Sequence, residues 1–296
     1  MDETYIKQLM LAKYLFRQGE KSLDKHSAMA CGVAISHFQD AVEMLLYAVV
    51  KERDVGDAKK WLAFHDLWRL VDDSIQPHKL PVKAAMTELN TARVSFKHYG
   101  NLPAPSDCEK HLAYTRQFLA MATQVVFGKD FESVSLANLI GDEKMRGMLK
   151  QAEHHLERDE ASECMVECAK AHYLASRLPE RILPRMRYFM TAWFEDAEHP
   201  GRKSMGDLGH YLNRLRDISL AAILDVPATD FFRYAGLSKA MPSVTERGGE
   251  FFVSPQEAKY SQEDIHFAVR YVTEYALAVQ EHMRILQEAG GSPQQA

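Results

Sequence analysis

Several familiar signatures are missing from this chain, and each absence removes a class of function. The four cysteines, Cys31, Cys108, Cys164 and Cys168, form no paired Cys-x-x-Cys motif of the kind that holds zinc. No Gly-rich phosphate loop follows a strand pattern, which argues against nucleotide-binding enzymes of the common kinds. Neither Gly-x-Ser-x-Gly nor His-Glu-x-x-His occurs. Basic charge is not in excess: 36 Lys and Arg face 41 Asp and Glu, for a net charge of -5. That balance argues against a broadly basic coat for nucleic acid, although a local basic site depends only on where charge sits. No apolar run reaches the roughly 18 residues a membrane span needs. The start, MDETYIKQLM, is acidic and amphipathic and lacks the basic start and apolar core of a signal peptide. These features predict a cytoplasmic protein with no membrane partner.

What is present is an ordinary globular composition, 46% hydrophobic and 26% charged, over 296 residues. That length suits one large domain or two of ordinary size. Apolar residues recur at helical spacing almost throughout. The periodicity predicts helices from about Thr4 to Ser22 and from about Ser27 to Arg53. In the second, Val33, Phe38, Ala41, Val42, Leu45, Leu46 and Val49 are expected to pack inward. A third helix is expected over about Lys59 to Ile75. A fourth runs from Pro81, as a first-turn proline, to about Lys97, and a fifth, capped by Ser106, reaches about Phe127. Residues from Gly128 to Gly141 read as a linker.

The second half starts a similar pattern. Ser27 and His37-Phe38 match Ser162 and His172-Tyr173 at an offset of 135. Ser106 and His111-Leu112-Ala113 match Ser261 and His266-Phe267-Ala268 at an offset of 155. The second copy therefore carries about 20 extra residues, and Met241 to Ser261 is the natural place, with Glu250 to Val253 able to run extended. The expected fold is all-α, two tandem helical bundles: a first domain over 1–128, a linker over 129–145, a second domain over 146–290 and a disordered polar tail over 291–296. Cys164, Cys168 and His172 fall on one helical face, but three ligands along a straight helix spread over about 12 Å at 1.5 Å per residue and cannot all touch one ion. They read as small residues on a buried face. His154-His155 reads as a solvated pair. No metal and no cofactor is expected.

The segment Arg93-Val94-Ser95-Phe96-Lys97-His98 carries the most chemistry. It closes the fourth predicted helix, just before Tyr99-Gly100-Asn101-Leu102-Pro103. Arginine is a fixed cation shaped for phosphate oxygens, and histidine moves protons near neutral pH. Together they supply the minimum for cleaving RNA without a metal. With 18 Arg and 13 His in the chain, roughly 2 Arg-x(4 to 6)-His spacings arise by chance, so context must carry the match. The plain alternative is a pair of cations favoured at a helix C-terminus. Asn90, Arg93 and Lys97 share a face at i, i+3 and i+7. An ideal helix turns Arg93 and His98 about 140° apart, so they converge only if the helix loosens near Lys97 or each serves a different strand of a paired site.

The run His37-Phe38-Gln39-Asp40-Ala41-Val42-Glu43-Met44-Leu45-Leu46-Tyr47-Ala48-Val49 resembles the second helix of the HEPN domain superfamily. Over about residues 4 to 128, helix order, helix length and motif position all resemble that family, whose Arg-x(4 to 6)-His motif lies just before its last helix. The second half resembles a degenerate copy: Phe232-Arg233-Tyr234-Ala235-Gly236-Leu237-Ser238-Lys239 has an Arg and a Lys but no His. The resemblance implies a metal-independent endoribonuclease in which two helical units pair and their motifs line one cleft. It gives Arg93 the phosphate, His98 the proton transfer and Glu43, matching the family's helix glutamate, a supporting contact with Arg93; by their shared face with Arg93, Asn90 could orient the phosphate or the histidine and Lys97 could add charge. It also implies RNA as substrate, a homodimer or a pseudo-dimer of the two halves, and toxin or antiviral-defence roles with a protein regulator or antitoxin. Some members carry a Tyr two residues after the His that a partner nucleotidyltransferase modifies; Gly100 stands there, which puts that route in doubt. The alternative is a non-catalytic HEPN-like module that binds a protein or nucleic-acid partner. A helical-repeat scaffold is disfavoured, since solenoids usually need three or more units.

Overall fold

The computed structural model describes residues 4–23, 27–56, 62–183, 202–254 and 258–283. The protein is all-α, with one two-stranded hairpin among the described residues. It divides into two compact units, Met1–Leu136 and Ala137–Ala296.

Unit 1 begins with α1 (Thr4–Leu23) and α2 (Ala28–Glu52). Ser27 starts α2 as a true N-cap, its hydroxyl accepting the Ala30 N–H at 3.1 Å. That bond satisfies one of the donors a helix start leaves orphaned, an effect of about 1 kcal/mol. Gly19 lets α1 lie close on α2, because a Cβ there would stand 2.5 Å from the Phe38 ring. The unit is completed by α3 (Phe64–Ser74), α4 (Lys83–Tyr99) and α5 (Pro105–Phe127). All four other helices pack on α2. Phe16, Phe38, Trp68 and Phe118 are fully buried around it, with the Trp68 and Phe118 rings 5.4 Å apart. Each such side chain contributes about 1.5–3 kcal/mol on burial.

Burial of most of its surface explains the composition of α2. Among the described residues it is the one helix long and apolar enough, by length and composition, to cross a membrane, and 78% of that window lies inside the unit. The sequence reading of no such run therefore missed it, because Ser36, His37, Gln39, Asp40 and Glu43 interrupt the run without making it polar on average. Val33, expected inward, is instead exposed beside Met29.

Three boundaries also differ. The fifth helix is not capped by Ser106, which sits inside its first turn; Ala104 is the N-cap and makes no side-chain bond, and Pro105 occupies the first helical turn. Proline fits there because its missing N–H would be unpaired anyway. Pro81 does not start α4: Val82 is the N-cap, in a left-handed conformation, and Lys83 begins the helix. The stretch expected as a linker contains 3-10 turns at Phe131–Ser133 and Ala137–Leu139, and Phe131 is buried with its ring 6.4 Å from Phe16. Phe131, Val134 and Leu136 thus belong to a core rather than a tether. The expected start of the third helix at Lys59 lies outside the described residues, as does the tail over 291–296.

Unit 2 opens on a helical hairpin, α6 (Glu143–Glu157) and α7 (Ala161–Ile182). Then come α8 (Arg202–Ile223), α9 (Ala228–Leu237), strands β1 (Ser243–Arg247) and β2 (Glu250–Ser254), and α10 (Gln262–Glu281). The strands pair antiparallel with Val244 opposite Val253, so the run Glu250 to Val253 is extended. Lys144 and Arg177 pair with Glu246 at 2.8 Å each and fasten the hairpin to α6 and α7. The core of this unit is aromatic: Tyr234 stacks on Tyr271 at 4.3 Å, and the His172 ring lies 4.6 Å from Tyr234 and 5.1 Å from Tyr275.

The matched landmarks of the two halves are used differently. Ser27 caps α2, whereas Glu160 is the N-cap of α7 and Ser162 lies within the helix. His111 is buried on α5, whereas His266 is exposed on α10.

Candidate functional site

Helix α4 sets the site. Met86 and Leu89 are buried along its inner face and anchor it. It approaches α2 closely at Gly32, where any Cβ would collide with the Phe96 ring. That contact fixes the register of an antiparallel seam, with Gly32 beside Phe96, Asp40 beside Arg93 and Gln39 beside Asn90. The helix stays regular through Tyr99 and stops at Gly100, whose φ of 69° few other residues adopt cheaply. The Gly100 N–H donates to the Phe96 carbonyl at 3.1 Å, and the Asn101 N–H to that of Ser95 at 3.3 Å. Helical geometry therefore persists through His98, and it does not loosen near Lys97. On one chain Arg93 and His98 point about 140° apart.

Asn90, Arg93 and Lys97 all bear on α2. The Asn90 Oδ1 accepts from Gln39 Nε2 at 3.3 Å. Arg93 forms a long ion pair with Asp40, 3.8 Å between NH2 and Oδ1, and its Nε is buried without a hydrogen-bond partner. Lys97 is exposed, but its charge reaches His37 and Glu43. His98 is exposed on the turn that ends the helix.

Glu43 is buried and accepts from Gln39 Nε2 at 3.2 Å. Burial raises its carboxyl above the ordinary range; the Gln39 hydrogen bond and the nearby Arg93 charge oppose that rise. Glu43 thus acts on Arg93 through the field, while Asp40 holds the ion pair. Gln39 is fully buried, its amide donating to both Glu43 and Asn90, while its Oε1 has no partner. His37, one turn before Asp40 on the same face, is half-buried with Nδ1 sealed and unpartnered.

Three members of this seam, His37, Gln39 and Asp40, were visible in the sequence but had no role there. The signal was polar residues spaced at i, i+2 and i+3 on a helix otherwise apolar enough to be wholly buried. Leaving a buried polar atom unpaired costs about 1–3 kcal/mol, and this seam holds such atoms on His37, Gln39 and Arg93.

The other candidates resolve differently. All four cysteines are free and buried. The Cys108 thiol is pushed up to about 12, chiefly by burial, and Cys168 is also raised well above the ordinary range, so both are unreactive thiols. Among the described residues no group of three His, Cys, Asp or Glu side chains is placed to hold a metal ion. His155 pairs with Glu160 at 2.7 Å and His154 lies exposed on the same helix end. Arg233, the counterpart expected in the second half, pairs with Glu263 at 2.8 Å and lies over the Phe267 ring at 4.1 Å.

The class defined on these grounds is a two-unit, all-α protein with a polar seam between α2 and α4 of its first unit. Beyond that class no family model, no curated protein and no solved structure matches the chain.

Proposed function

We propose that the protein is a metal-independent endoribonuclease of the HEPN type. Arg93 holds the scissile phosphate, and His98 carries a proton in the attack of the adjacent 2′-hydroxyl. The observation that carries this reading is the state of Arg93. It is a half-buried cation with a single long ion pair and a buried Nε that has no partner, set one turn from an exposed histidine and an exposed lysine at a helix end. A phosphate could make with the terminal guanidinium nitrogens the bidentate contact that the carboxylate at 3.8 Å does not. Local violations of packing rules at one seam are where functional groups are expected. Products would carry a 2′,3′-cyclic phosphate and a 5′-hydroxyl.

The two halves would be diverged copies of one helical unit, the second without the histidine. Because Arg93 and His98 diverge on α4, the composite cleft would draw on two copies of unit 1 in a symmetric homodimer, an arrangement that is self-complementary. A toxin or antiviral-defence role, with a protein regulator and a cytoplasmic setting, belongs to the same reading by association alone. The alternative is a non-catalytic module in which Arg93 and Asp40 merely fasten α4 to α2.

The test is incubation of the full chain with mixed RNA, with and without EDTA, beside His98→Ala. Cleavage that survives EDTA and is lost in the variant supports the enzyme. Intact RNA in every lane leaves the non-catalytic module, and equal cleavage by the variant overturns the assignment to His98. Mass in solution decides the assembly: a strictly monomeric chain that still cleaves RNA rules out the homodimer.

A further inference from the structure

Cleavage by 2′-hydroxyl attack requires two proton transfers, one away from the attacking oxygen and one to the departing 5′-oxygen. Arg93 and Lys97 are cations that serve charge rather than proton acceptance at neutral pH, so both transfers would otherwise fall to His98, of one chain or of the two copies in the proposed homodimer. We propose that His37 is a second catalytic residue, the acceptor of the 2′-hydroxyl proton, with His98 left as the donor to the leaving oxygen. This inference rests on the ribonuclease reading above.

The geometry of the seam carries it. His37 lies one turn before Asp40 on the same face of α2, and Asp40 pairs with Arg93. The antiparallel register set by Gly32 with Phe96 and by Gln39 with Asn90 puts His37 level with Thr91 and Ala92, within one turn of Arg93. Asp40, one turn on from His37, holds the Arg93 guanidinium, so His37 is the imidazole on the same chain nearest that pair, and the His98 that donates, about 140° away around α4, would come from a second copy of the chain. The ring is half-buried with Nδ1 sealed and unpartnered, which leaves Nε2 as the nitrogen able to meet a substrate. Burial also outweighs the attraction of Asp40 and lowers the imidazole below its ordinary range, with Lys97 adding to the effect. His37 is therefore neutral at pH 7, the form that can accept a proton. Asp40 from α2 and Lys97 from α4 are the charges that bear on it most directly, with Glu43 and Arg93 further along the seam.

The step balances without an oxidant or a co-reactant. The O2′–H bond breaks and its proton goes to His37. The O2′–P bond forms as the P–O5′ bond breaks, and the 5′-oxygen takes a proton from the His98 imidazolium. One 2′,3′-cyclic phosphate and one 5′-hydroxyl result, and solvent returns each histidine to its starting form.

Single-turnover cleavage by the full chain across an acid-to-alkaline pH series tests the assignment, using wild type, His37→Gln and His98→Ala. A 2′-deoxy version of the substrate serves as the binding probe. His37→Gln should bind the probe as wild type does, cleave at least on the order of 10²-fold more slowly, and lose the acidic limb of the profile. A folded His37→Ala should regain rate with added imidazole. If His98→Ala is inactive but His37→Gln cleaves at the wild-type rate with its acidic limb intact, this inference falls and the ribonuclease reading stands. If wild type leaves RNA intact, both fall. If both His37 variants melt on purification while His98→Ala does not, His37 is a core side chain and the inference is overturned.

Discussion

Arg93 in unit 1 and Arg233 in unit 2 stand at similar points in the order of helices, yet their surroundings are opposite. Arg233 is closely paired: Glu263 at 2.8 Å, Asp264 at 3.6 Å and the Phe267 ring beneath the guanidinium. Those acids belong to the first turn of α10, where carboxylates are favoured by the helix dipole. Arg93 has one carboxylate at 3.8 Å, a buried Nε without a partner, and polar neighbours that are themselves incompletely bonded. The difference separates a structural arginine from one with bonding capacity to spare. It also shows why a motif cannot be judged by its letters, since the same residue type after a similar helix is closely paired in one unit and loosely paired in the other.

The comparison breaks first, and by the largest margin, on activity. Arg93→Ala and His98→Ala should each lower RNA cleavage by about 10²–10⁴-fold, whereas Arg233→Ala should leave the rate unchanged. Thermal melts should move little for His98→Ala, since exposed substitutions shift stability by less than about 0.5 kcal/mol. Equal losses from Arg93→Ala and Arg233→Ala would erase the distinction.

A smaller effect comes from the seam itself. Gly32→Ala pushes against the Phe96 ring and should cost about 1–3 kcal/mol as overpacking, partly offset by the roughly 1 kcal/mol better helix propensity of alanine. Adding Phe96→Ala should relieve the clash, so that the double variant falls short of the sum of the two single losses in urea unfolding. Strict additivity would mean that Gly32 does not set the approach of α4.

Glu43 sharpens the comparison through pH. Its folded carboxyl titrates above the ordinary value of 4.5, mainly because it is buried. The folded state therefore favours the protonated acid. Its stabilising contribution is complete below the unfolded value and is lost as pH rises through the folded one. Glu43→Gln mimics the neutral form, so its stability relative to wild type should climb from acid towards neutral pH. A gap that stays constant over that range would show that Glu43 is not held in the environment described.

The smallest effect is expected in unit 2. Arg233→Ala should cost no more than about 1 kcal/mol in chemical denaturation, because its partners are largely exposed and such pairs are weak.

Much of this architecture could be read from the chain. The 3.6-residue spacing of apolar residues marked α1, α2, α4 and α5 to within a few residues, and Ser27 announced α2 because a short side-chain hydroxyl before an apolar period satisfies a helix start. The extended run Glu250 to Val253 was visible for the same reason, being a short apolar stretch between turn residues. Boundaries set by the backbone were harder. Nothing in the letters said that Val82 would adopt a left-handed conformation or that Pro105 would displace Ser106 as the start of α5. Phe131 looked like part of a loop because its partner, Phe16, lies far away in the chain.

The sequence by itself determined the helical class and the two cations and two polar groups, Arg93, Lys97, His98 and Asn90, carried near the end of one helix, because helix periodicity and residue chemistry are local. Only the tertiary structure decided which of them are free. Asp40 reaches Arg93 from α2 and Gln39 ties Asn90 to Glu43, both because Gly32 lets Phe96 close the two helices together. Such pairings join residues about 50 positions apart, and no local rule of spacing or propensity encodes them; they follow from which faces bury most apolar surface when the helices meet.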